Sequence, residues 1–288
     1  MTEALYKQYH SLLYSIAYRM LGTLNDAEDI IQDVYLEIQQ QDLVRIGNMK
    51  AYLCKAVTNR CINFLQSARS RREIYTGEWL PEPVSVRPDL DPAERIIEEE
   101  TVSYALLVMM ERLNPVERAV FILREALQYS YREIGDTLHK SEENCRKIYS
   151  RVKGKLLRKE TEPLQKSEVE EQFVKLFLDA AKTGDFADFI AQMTTDAVLV
   201  TDGGGKVRCA LCPIYGSHRI RALFEGIWPR GYFSGSLLPV RINGEQGFVL
   251  VRDERPVLAV SMTWDWEQSR VDRMFIVSNP DKLHGIRL

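Results

Sequence analysis

The densest group of side chains that could bind a ligand lies between residues 129 and 159, in the segment YSYREIGDTLHKSEENCRKIYSRVKGKLLRK. From Arg146 to Lys159 this segment carries seven cations and no acid. Cations at this density contact nucleic-acid phosphates, and polar side chains beside them can read base edges. The alternative is an ordinary helix pair with a solvated basic face. The segment is therefore a candidate nucleic-acid interface.

Two short helices joined by a turn would position these side chains. Ser130 with Glu133 is a capping-box pattern at the start of the first helix, and Ser141 caps the second. In the second helix, apolar residues at three- and four-residue spacing form one stripe, which turns the polar residues outward. The stripe consists of Cys145, Ile148, Val152 and Leu156. This layout predicts a helix-turn-helix.

Length and composition restrict the class of protein. The 288 residues suit two or three domains, and 45% hydrophobic with 9% aromatic residues support folded cores. No run of about 18 apolar residues occurs, and the N-terminal MTEALYKQYH resembles neither a signal nor a transit peptide. We therefore expect a cytoplasmic protein without a membrane partner. Because the net charge is -3, the basic segment is a local patch.

The first 75 residues are predicted to form three helices. Gly22 ends the first, and Asn25 with Glu28 is a capping pattern for the second. The third is expected over residues 49–67, followed by a basic cluster. Its polar face could bind nucleic acid, although on its own a solvated helix face is the simpler interpretation. The side chains concerned are Tyr52, Asn59, Arg60, Asn63, Arg69, Arg71 and Arg72.

Residues 76–100 differ from the sequence on either side. Four prolines and an acidic end exclude a helix or sheet interior and indicate a linker. Helical periodicity resumes over about 93–110, and Leu113-Asn114-Pro115 begins another helix with proline in its first turn.

After Pro163 the periodicity changes from helical to mixed. Helices at about 168–182 and 185–193 precede the strand AVLVT, a triple-glycine turn, KVRCAL and a helix around 218–228. Four further strand-like segments follow, separated by turn signals: LLPVRI, GFVLV, VLAVSMTW and VDRMFIVS. This order predicts an α+β domain with a curved antiparallel sheet.

Five cysteines, an odd number mostly in apolar helical contexts, argue against a disulfide framework. Only Cys209 and Cys212 form a CxxC pair, and a single pair is a weak metal signal. On a strand, residues three apart point to opposite faces, so these thiols could share a metal only if the backbone turns. Structural thiols are the favoured interpretation, with a redox or metal role as the alternative.

Taken in order, the segments of the first 160 residues resemble an extracytoplasmic-function sigma factor, the two-domain promoter-specificity subunit of bacterial RNA polymerase. The matching stretches are DAEDIIQDVY at residues 26–35, AYL through VTNR to NFL at 51–65, LNPVER at 113–118, and the helix-turn-helix. They cover over half of the chain. The resemblance implies two all-α sigma domains ahead of the α+β domain.

The remaining residues resemble a SnoaL-like domain, a cone-shaped α+β fold, and the combination is similar to one sigma subfamily with this C-terminal extension. Three motifs carry the match: Trp79-Leu80-Pro81-Glu82-Pro83, Asp202-Gly203-Gly204-Gly205-Lys206 and Asn279-Pro280-Asp281-Lys282-Leu283. Singly they suggest only a stiff linker, a tight turn and a polar tail. Together they imply that the extension modulates the sigma domains within one chain, without a separately encoded anti-sigma partner. We expect the three motifs to lie near one another and to make regulatory contacts.

The resemblance also assigns roles in the sigma domains. Asp29, Gln32 and Asp33 would dock on the clamp helices of core RNA polymerase. Asn59 and Asn63 would engage the melted minus ten element of promoter DNA, with a flipped base in a pocket. The minus thirty-five duplex would meet the second helix of the helix-turn-helix. The candidates there are Glu143, Asn144, Arg146, Lys147, Arg151, Lys153 and Lys155.

The expected domains are residues 1–75 (first sigma domain), 76–100 (linker), 101–162 (second sigma domain) and 163–288 (SnoaL-like regulatory domain). A rival interpretation is a helix-turn-helix regulator with a ligand-sensing or catalytic C-terminal domain, which leaves the first 75 residues without a role. SnoaL-like folds include enzymes, but His218, His284, Asp202 and Asp265 form no paired arrangement in the sequence. We therefore expect no catalytic residue, cofactor or metal. A small-molecule ligand of the C-terminal domain is the one further partner considered.

Overall fold

The computed structural model describes residues 2–39, 46–72, 75–85, 103–156 and 166–288. These residues form two compact units. The first unit contains residues 2–39, 46–72 and 106–156, and the second contains 75–85, 103–105 and 166–288.

Three helices begin the first unit: α1 Thr2–Leu21, α2 Leu24–Gln39 and α3 Met49–Arg72. Gly22, with a φ of 74°, ends α1 as predicted. The predicted cap of α2 is wrong, because Asn25 lies inside the helix. Instead the Thr23 carbonyl accepts from the Ala27 amide at 3.3 Å, and the Thr23 hydroxyl bonds Asp26 at 2.6 Å. Helix α3 also continues beyond the predicted end at residue 67.

Four shorter helices follow: α4 Tyr104–Met110, α5 Pro115–Glu125, α6 Tyr131–Leu138 and α7 Glu142–Leu156. Asn114 and Glu117 form a reciprocal capping box around Pro115, which stands in the first turn of α5. The proline costs nothing there, since the first amides of a helix lack intrahelical partners. This confirms the predicted start of the helix.

A buried arginine joins α5 to α1. The Arg118 side chain is 3% exposed, and its Nη1 donates to the Met20 carbonyl at 2.6 Å and to Glu111 Oε1 at 2.7 Å. A charge at this depth is tolerated only with such partners. Arg118 therefore ties α5 to the C-terminal end of α1.

The second unit contains three helices and six strands. They are α8 Lys166–Thr183, α9 Ala187–Ala191, β1 Met193–Asp202, β2 Ile214–Tyr215, α10 Ser217–Ile227, β3 Ser236–Ile242, β4 Glu245–Arg252, β5 Arg255–Asp265 and β6 Arg270–Val277. A short 3-10 helix, Trp228–Arg230, follows α10, and a second, Pro280–Lys282, follows β6.

The strands form one sheet in the order β2-β1-β6-β5-β4-β3. The predicted α+β class is confirmed, but the sheet is mixed, because β1 and β6 pair in parallel. These strands are far apart in sequence, and the chain between them is long enough for the return that parallel pairing needs. The segment KVRCAL, for which a strand was only one possibility, does not form one. β1 ends at Asp202, and turns and bends lead from there to the two-residue β2.

Aromatic rings fill the space between the sheet and helices α8 to α10. Seven phenylalanines belong to this core: Phe173, Phe177, Phe186, Phe189, Phe224, Phe233 and Phe248. The ring of Phe177 stacks on that of Phe248, with centroids 4.2 Å apart. Ring clusters of this kind contribute both buried area and favourable edge-to-face contacts.

The turn of the helix-turn-helix leaves no room for a side chain at Gly135. A Cβ there would lie 2.5 Å from the Lys140 carbonyl oxygen, whereas a Cβ at Gly154 in α7 would meet nothing within 4 Å. We expect Gly135→Ala to destabilise the first unit by about 1–3 kcal/mol through overpacking. Gly154→Ala should stabilise it by about 1 kcal/mol through helix propensity. Chemical denaturation followed by circular dichroism compares the two variants, and equal midpoints would contradict the close approach at Gly135.

Candidate functional site

Two side-chain caps and one left-handed residue define the helix-turn-helix. Ser130 Oγ accepts from the Glu133 amide at 3.2 Å, and the Glu133 carboxylate accepts from the Ser130 amide at 2.7 Å. The hydrogen bonds to Ser130 lower the pKa of Glu133. His139 turns the chain with a φ of 52°, and Ser141 Oγ accepts from the Asn144 amide at 3.3 Å. The caps predicted from the sequence are confirmed, and they set the direction of α7.

Helix α7 presents all of its candidate side chains to solvent. The predicted stripe of Cys145, Ile148, Val152 and Leu156 is buried. The polar candidates Glu143, Asn144, Arg146, Lys147, Arg151, Lys153 and Lys155 are all exposed on the remaining surface. The structure therefore brings these residues together on one accessible helix.

Two of these cations pair with acids of their own helix. Arg146 Nη2 lies 2.8 Å from Glu142 Oε1, and Lys147 Nζ lies 2.6 Å from Glu143 Oε1. Exposed pairs at this spacing contribute only about 0.3–0.5 kcal/mol. The two pairs therefore leave both cations accessible to a ligand at little cost.

The polar face of α3 meets the last turn of α6. Lys55 Nζ donates to the Asp136 carbonyl at 2.9 Å, and Asn59 Nδ2 donates to the Thr137 carbonyl at 3.2 Å. Carbonyls in the last turn of a helix lack intrahelical partners and carry partial negative charge, so these donors satisfy them. A cavity of about 490 Å³ lies beside the contact, and its lining includes Lys50, Tyr52, Tyr129 and Glu133.

The remaining candidates of the first sigma domain lie on α2 and α3. Asp29, Gln32 and Asp33 are exposed on one side of α2, and Asn63 is exposed on α3. The Arg60 guanidinium bridges the two helices, with Nη1 3.2 Å from Asp33 and Nη2 2.6 Å from Glu37. Arg69, Arg71 and Arg72 belong to α3, but their side chains lie outside the described residues.

In the second unit, Asp202 is the centre of a buried polar cluster. The residue is 1% exposed, and each carboxylate oxygen accepts two hydrogen bonds. Oδ1 accepts from the Tyr75 hydroxyl at 2.6 Å and the Gly204 amide at 3.0 Å. Oδ2 accepts from the Leu80 amide at 2.9 Å and Lys282 Nζ at 2.7 Å. Burial, reinforced by the bond to Asp202, raises the pKa of Tyr75, which keeps its hydroxyl a donor.

The side chain of Lys282 is also buried, at 6% exposure. Its Nζ also donates to the Leu80 carbonyl at 2.6 Å. The same atom lies 4.0 Å from the ring centroid of Trp79 and 4.9 Å from that of Tyr75. Aromatic faces stabilise a cation most strongly when water is excluded. Asp202, Lys282 and the segment around Trp79 thus form one charged but desolvated site.

The glycine turn after Asp202 allows this close packing. Gly204 has a φ of 60°, and a Cβ on it would lie 2.3 Å from Asn279 Nδ2. Asn279 caps the 3-10 helix Pro280–Lys282 and donates to the Tyr75 hydroxyl at 2.9 Å. At the rim, Lys206 Nζ lies 2.5 Å from Asp281 Oδ2 in an exposed pair. The expectation that the three motifs lie near one another is confirmed.

Residues 75–85 lie as an extended segment within the second unit. Leu80, Pro81, Glu82 and Pro83 are buried. The Val84 amide donates to Asn243 Oδ1 at 3.1 Å, and the Tyr104 hydroxyl donates to the Pro81 carbonyl at 2.8 Å. The part of the predicted linker that the structure describes is therefore anchored on the α+β domain.

The five cysteines fall into two groups. Cys54, Cys61 and Cys145 are buried, and burial raises the pKa of each thiol. Cys209 is partly exposed and Cys212 is exposed, in the bent segment after the glycine turn. The backbone therefore turns at the CxxC pair. Within the described ranges, no group of three or more potential metal ligands occurs, and none of the helices is long and apolar enough to span a membrane.

Comparison with known proteins identifies the family. The model described as Sigma-70 region 2 matches residues 5–71, and the model described as Sigma-70, region 4 matches residues 103–156. The ECF RNA polymerase sigma factor SigJ of Mycobacterium tuberculosis (strain ATCC 25618 / H37Rv) is 30% identical over 95% of this chain and 90% of its own. The chain belongs to the ECF RNA polymerase sigma factors.

Two further similarities agree with this assignment. The crystal structure of the Mycobacterium tuberculosis extracytoplasmic function sigma factor SigJ superimposes with a TM-score of 0.78 at 25% identity and covers 99% of both chains. A probable ECF RNA polymerase sigma factor of the same species, SigI, is 29% identical over 64% of this chain and 63% of its own. Since the likeness to SigJ covers nearly all residues, it includes the α+β domain.

The sequence did not reveal several residues of these sites. The Tyr75 hydroxyl completes the hydrogen bonding of Asp202, and no pattern in the sequence marks Tyr75 as its partner. Lys55 was visible as an outward polar residue of α3, but its partner is a backbone carbonyl, which no side-chain pattern encodes. Asn243 was read as a turn residue, and its bonds to Val84 depend on two segments that are remote in sequence.

The two lysines of the clustered motifs should differ sharply in their effect on stability. The side chains of Lys282 and Asp202 are 6% and 0% exposed, whereas those of Lys206 and Asp281 are 55% and 62% exposed. Lys282→Met leaves a buried carboxylate uncompensated, so we expect a loss of roughly 3–5 kcal/mol. Lys206→Ala, the matched control, should cost less than about 1 kcal/mol. Denaturation monitored by tryptophan fluorescence measures the free energy of unfolding of both variants. Similar losses in both would contradict a larger stabilising role for the buried pair.

Proposed function

We propose that this sigma factor binds bacterial core RNA polymerase in the cytoplasm and directs promoter-specific initiation, with its activity modulated in cis by the α+β domain. The observation that carries the proposal is the family match, which spans both sigma domains and the C-terminal domain. We retain the domain limits 1–75, 76–100, 101–162 and 163–288 as part of the proposal. The alternative, a helix-turn-helix regulator, gives α1 to α3 no role.

In the proposal, α7 binds the minus thirty-five duplex. Its exposed Arg146 and Lys147 stand near the N-terminal end, from which a recognition helix reads base edges. Arg151, Lys153 and Lys155 follow along the helix and are suited to phosphates. Binding of this kind uses a small local excess of positive charge and tolerates a net charge of -3 for the chain.

The minus ten element is assigned to α3. Amide groups such as those of Asn59 and Asn63 can bond the edges of an unpaired base, and Tyr52 can offer a ring for stacking. In the structure Asn59 Nδ2 and Lys55 Nζ already donate to carbonyls of α6. We infer that promoter DNA replaces the Thr137 carbonyl as a partner of Asn59, and that α6 leaves α3 as the complex forms.

The exposed polar side of α2 is assigned to core RNA polymerase. Asp29, Gln32 and Asp33 lie there beside Leu36, whose side chain is 58% exposed. If α2 docks on the polymerase as proposed, association would bury this leucine within a polar rim. The ion pair of Asp33 with Arg60 links this surface to the DNA-binding face of α3.

The buried cluster supports regulation in cis. Asp202 and Lys282 hold residues 75–85, the segment that connects α3 with α4 in the sequence, within the α+β domain. A linked domain acts at an effective concentration around millimolar, so weak contacts are sufficient for control. The regulatory contacts assigned to the three motifs are thus proposed to act by restraining the connection between the sigma domains.

We assign the α+β domain a regulatory role and no catalytic one. Seven phenylalanine rings occupy its interior, the place where a substrate would need room and a general acid or base. The buried carboxylate Asp202 has all four of its acceptor positions engaged. Titration of the full chain with small molecules, monitored for both binding and turnover, distinguishes a sensor from an enzyme.

Asn59→Ala should impair promoter opening without affecting polymerase binding. The substitution removes the amide proposed to bond an unpaired base, while the surface of α2 is unchanged. We expect normal co-purification with core polymerase and a clear loss of permanganate-reactive thymines in the promoter. Gln32→Ala, on the α2 surface, should show the opposite pattern. A normal opening rate for the Asn59 variant would remove this residue from the site.

Removing the α+β domain should alter promoter output strongly. A chain that ends at residue 165 lacks Asp202 and Lys282 and therefore frees the connection between the sigma domains. We expect a several-fold change in run-off transcription at equal polymerase occupancy, with Lys206→Ala in the full chain close to wild type. Circular dichroism confirms that the shortened chain is helical. Equal output from the shortened and full-length chains would refute regulation in cis.

A further inference from the structure

One tyrosine of the helix-turn-helix lies against two arginines. The Cζ atom of Arg124 lies 4.9 Å from the ring centroid of Tyr131, and that of Arg146 lies 5.4 Å from it. Arg124 is itself fixed, because its Nη1 donates to the Tyr129 carbonyl at 2.7 Å. The negative face of an aromatic ring attracts such cations. Tyr131 therefore holds a guanidinium of α5 and a guanidinium of α7 beside one ring.

The helix itself does not require a tyrosine at this position. The cap of α6 is made by Ser130 and Glu133, and Tyr131 is the first residue after it. Tyrosine is an average helix former, so intrinsic propensity gives no reason for it there. The hydroxyl of Tyr131 does not cap the helix either. The contacts of its ring with neighbouring side chains therefore give the reason for a tyrosine at this position.

Those neighbours give the ring a fixed position. The ring of Tyr149, on α7, lies 5.9 Å from that of Tyr131 and is stacked on the buried Phe121 at 6.3 Å. The Tyr149 hydroxyl also donates to Glu125. Burial and this bond raise the pKa of Tyr149 to about 12, so the hydroxyl stays protonated. Tyr131 is thus supported from the core of the helix-turn-helix.

A second contact restrains the guanidinium of Arg146 from its own helix. Its Nη2 lies 2.8 Å from Glu142 Oε1, although the arginine side chain is 61% exposed. This bond uses only one of the donor N–H groups of the guanidinium, so the others can face a base edge. A long exposed side chain normally samples many rotamers, and ordering it before binding reduces the entropy lost on binding.

We propose that Tyr131 and Glu142 are positioning residues that hold Arg146 in place to read a base pair of the minus thirty-five duplex. The inference rests on the proposed function, because it takes Arg146 as the base-reading side chain. The bidentate contact of an arginine with guanine depends on the orientation of its planar fork. Tyr131 thereby contributes to sequence specificity without touching DNA.

The test measures base preference, which a purely structural role would not change. Holoenzyme reconstituted from core polymerase and the full-length sigma factor selects from duplexes randomised across the minus thirty-five region. Arg146→Ala should weaken the preference at one base position by roughly 5- to 100-fold. Tyr131→Leu should weaken it at the same position by roughly two- to five-fold, since it removes the ring and keeps apolar bulk. Tyr131→Phe should keep the wild-type preference.

Two controls separate positioning from folding and from phosphate binding. In the Arg146→Ala background, Tyr131→Leu should have no further effect on preference, because its action passes through Arg146. Lys153→Ala should lower binding to all duplexes alike and reduce the salt dependence.

Glu142→Gln tests the second positioning residue. At low salt it should cause part of the loss of base preference that Tyr131→Leu causes.

The possible failures are distinguishable. If Arg146→Ala leaves every base preference unchanged, base reading by Arg146 is wrong and the inference falls with it. If Arg146→Ala removes a preference but Tyr131→Leu only weakens binding uniformly, Tyr131 supports the fold alone and the inference is overturned. Additive losses in the double variant overturn it as well.

Discussion

The buried ion pair between Asp202 and Lys282 is the constraint on which the second unit depends. An ionised group cannot remain at 1% exposure unless all its hydrogen-bonding capacity is used, and here the partners come from three separate parts of the chain. The end of β1, the segment around Leu80 and the C-terminal 3-10 helix must all be in place at once. A misplaced segment would leave a charge without its partner. The pair therefore selects one arrangement more than it adds stability.

The exposed charges on the sigma domains behave in the opposite way. Arg146 and Lys147 are paired only with exposed acids of their own helix, and Arg60 bridges two exposed acids. Such pairs are weak and screened by salt, which makes them easy to exchange for another anion. The chain thus uses one type of interaction for two purposes. Buried pairs hold segments together, and exposed pairs order cations that remain accessible at the surface.

Local signals made most of the helices predictable. Each capping box joins residues only three apart, so both could be identified in the sequence. The structure contains the capping box of Ser130 with Glu133 and that of Asn114 with Glu117. The start of α2 was misjudged because Thr23 and Asn25 are both good capping residues. The predicted apolar stripe of α7 was correct, because a helix with one buried face repeats apolar residues every three or four positions.

Features that depend on distant segments could not be obtained in this way. The parallel pairing of β1 with β6 joins strands that are remote in sequence, and Asp202 at the end of β1 meets Lys282 only in the folded chain. The three motifs were expected to meet on the strength of a family resemblance alone. Their geometry depends on Tyr75 and on the backbone of Leu80, which carry no recognisable pattern. The partner of Asn59 was missed for the same reason.

The contact of α3 with the last turn of α6 has a thermodynamic consequence for the proposed function. Lys55 and Asn59 each donate one hydrogen bond to a carbonyl of α6. If α3 binds promoter DNA as proposed, the chain then competes with DNA for this surface. The apparent dissociation constant for DNA is then the intrinsic value divided by the fraction of molecules in which the two helices are apart. If that fraction is about 1%, the affinity falls about a hundredfold. Any partner that binds only the separated form would raise the affinity for DNA without contacting a single nucleotide.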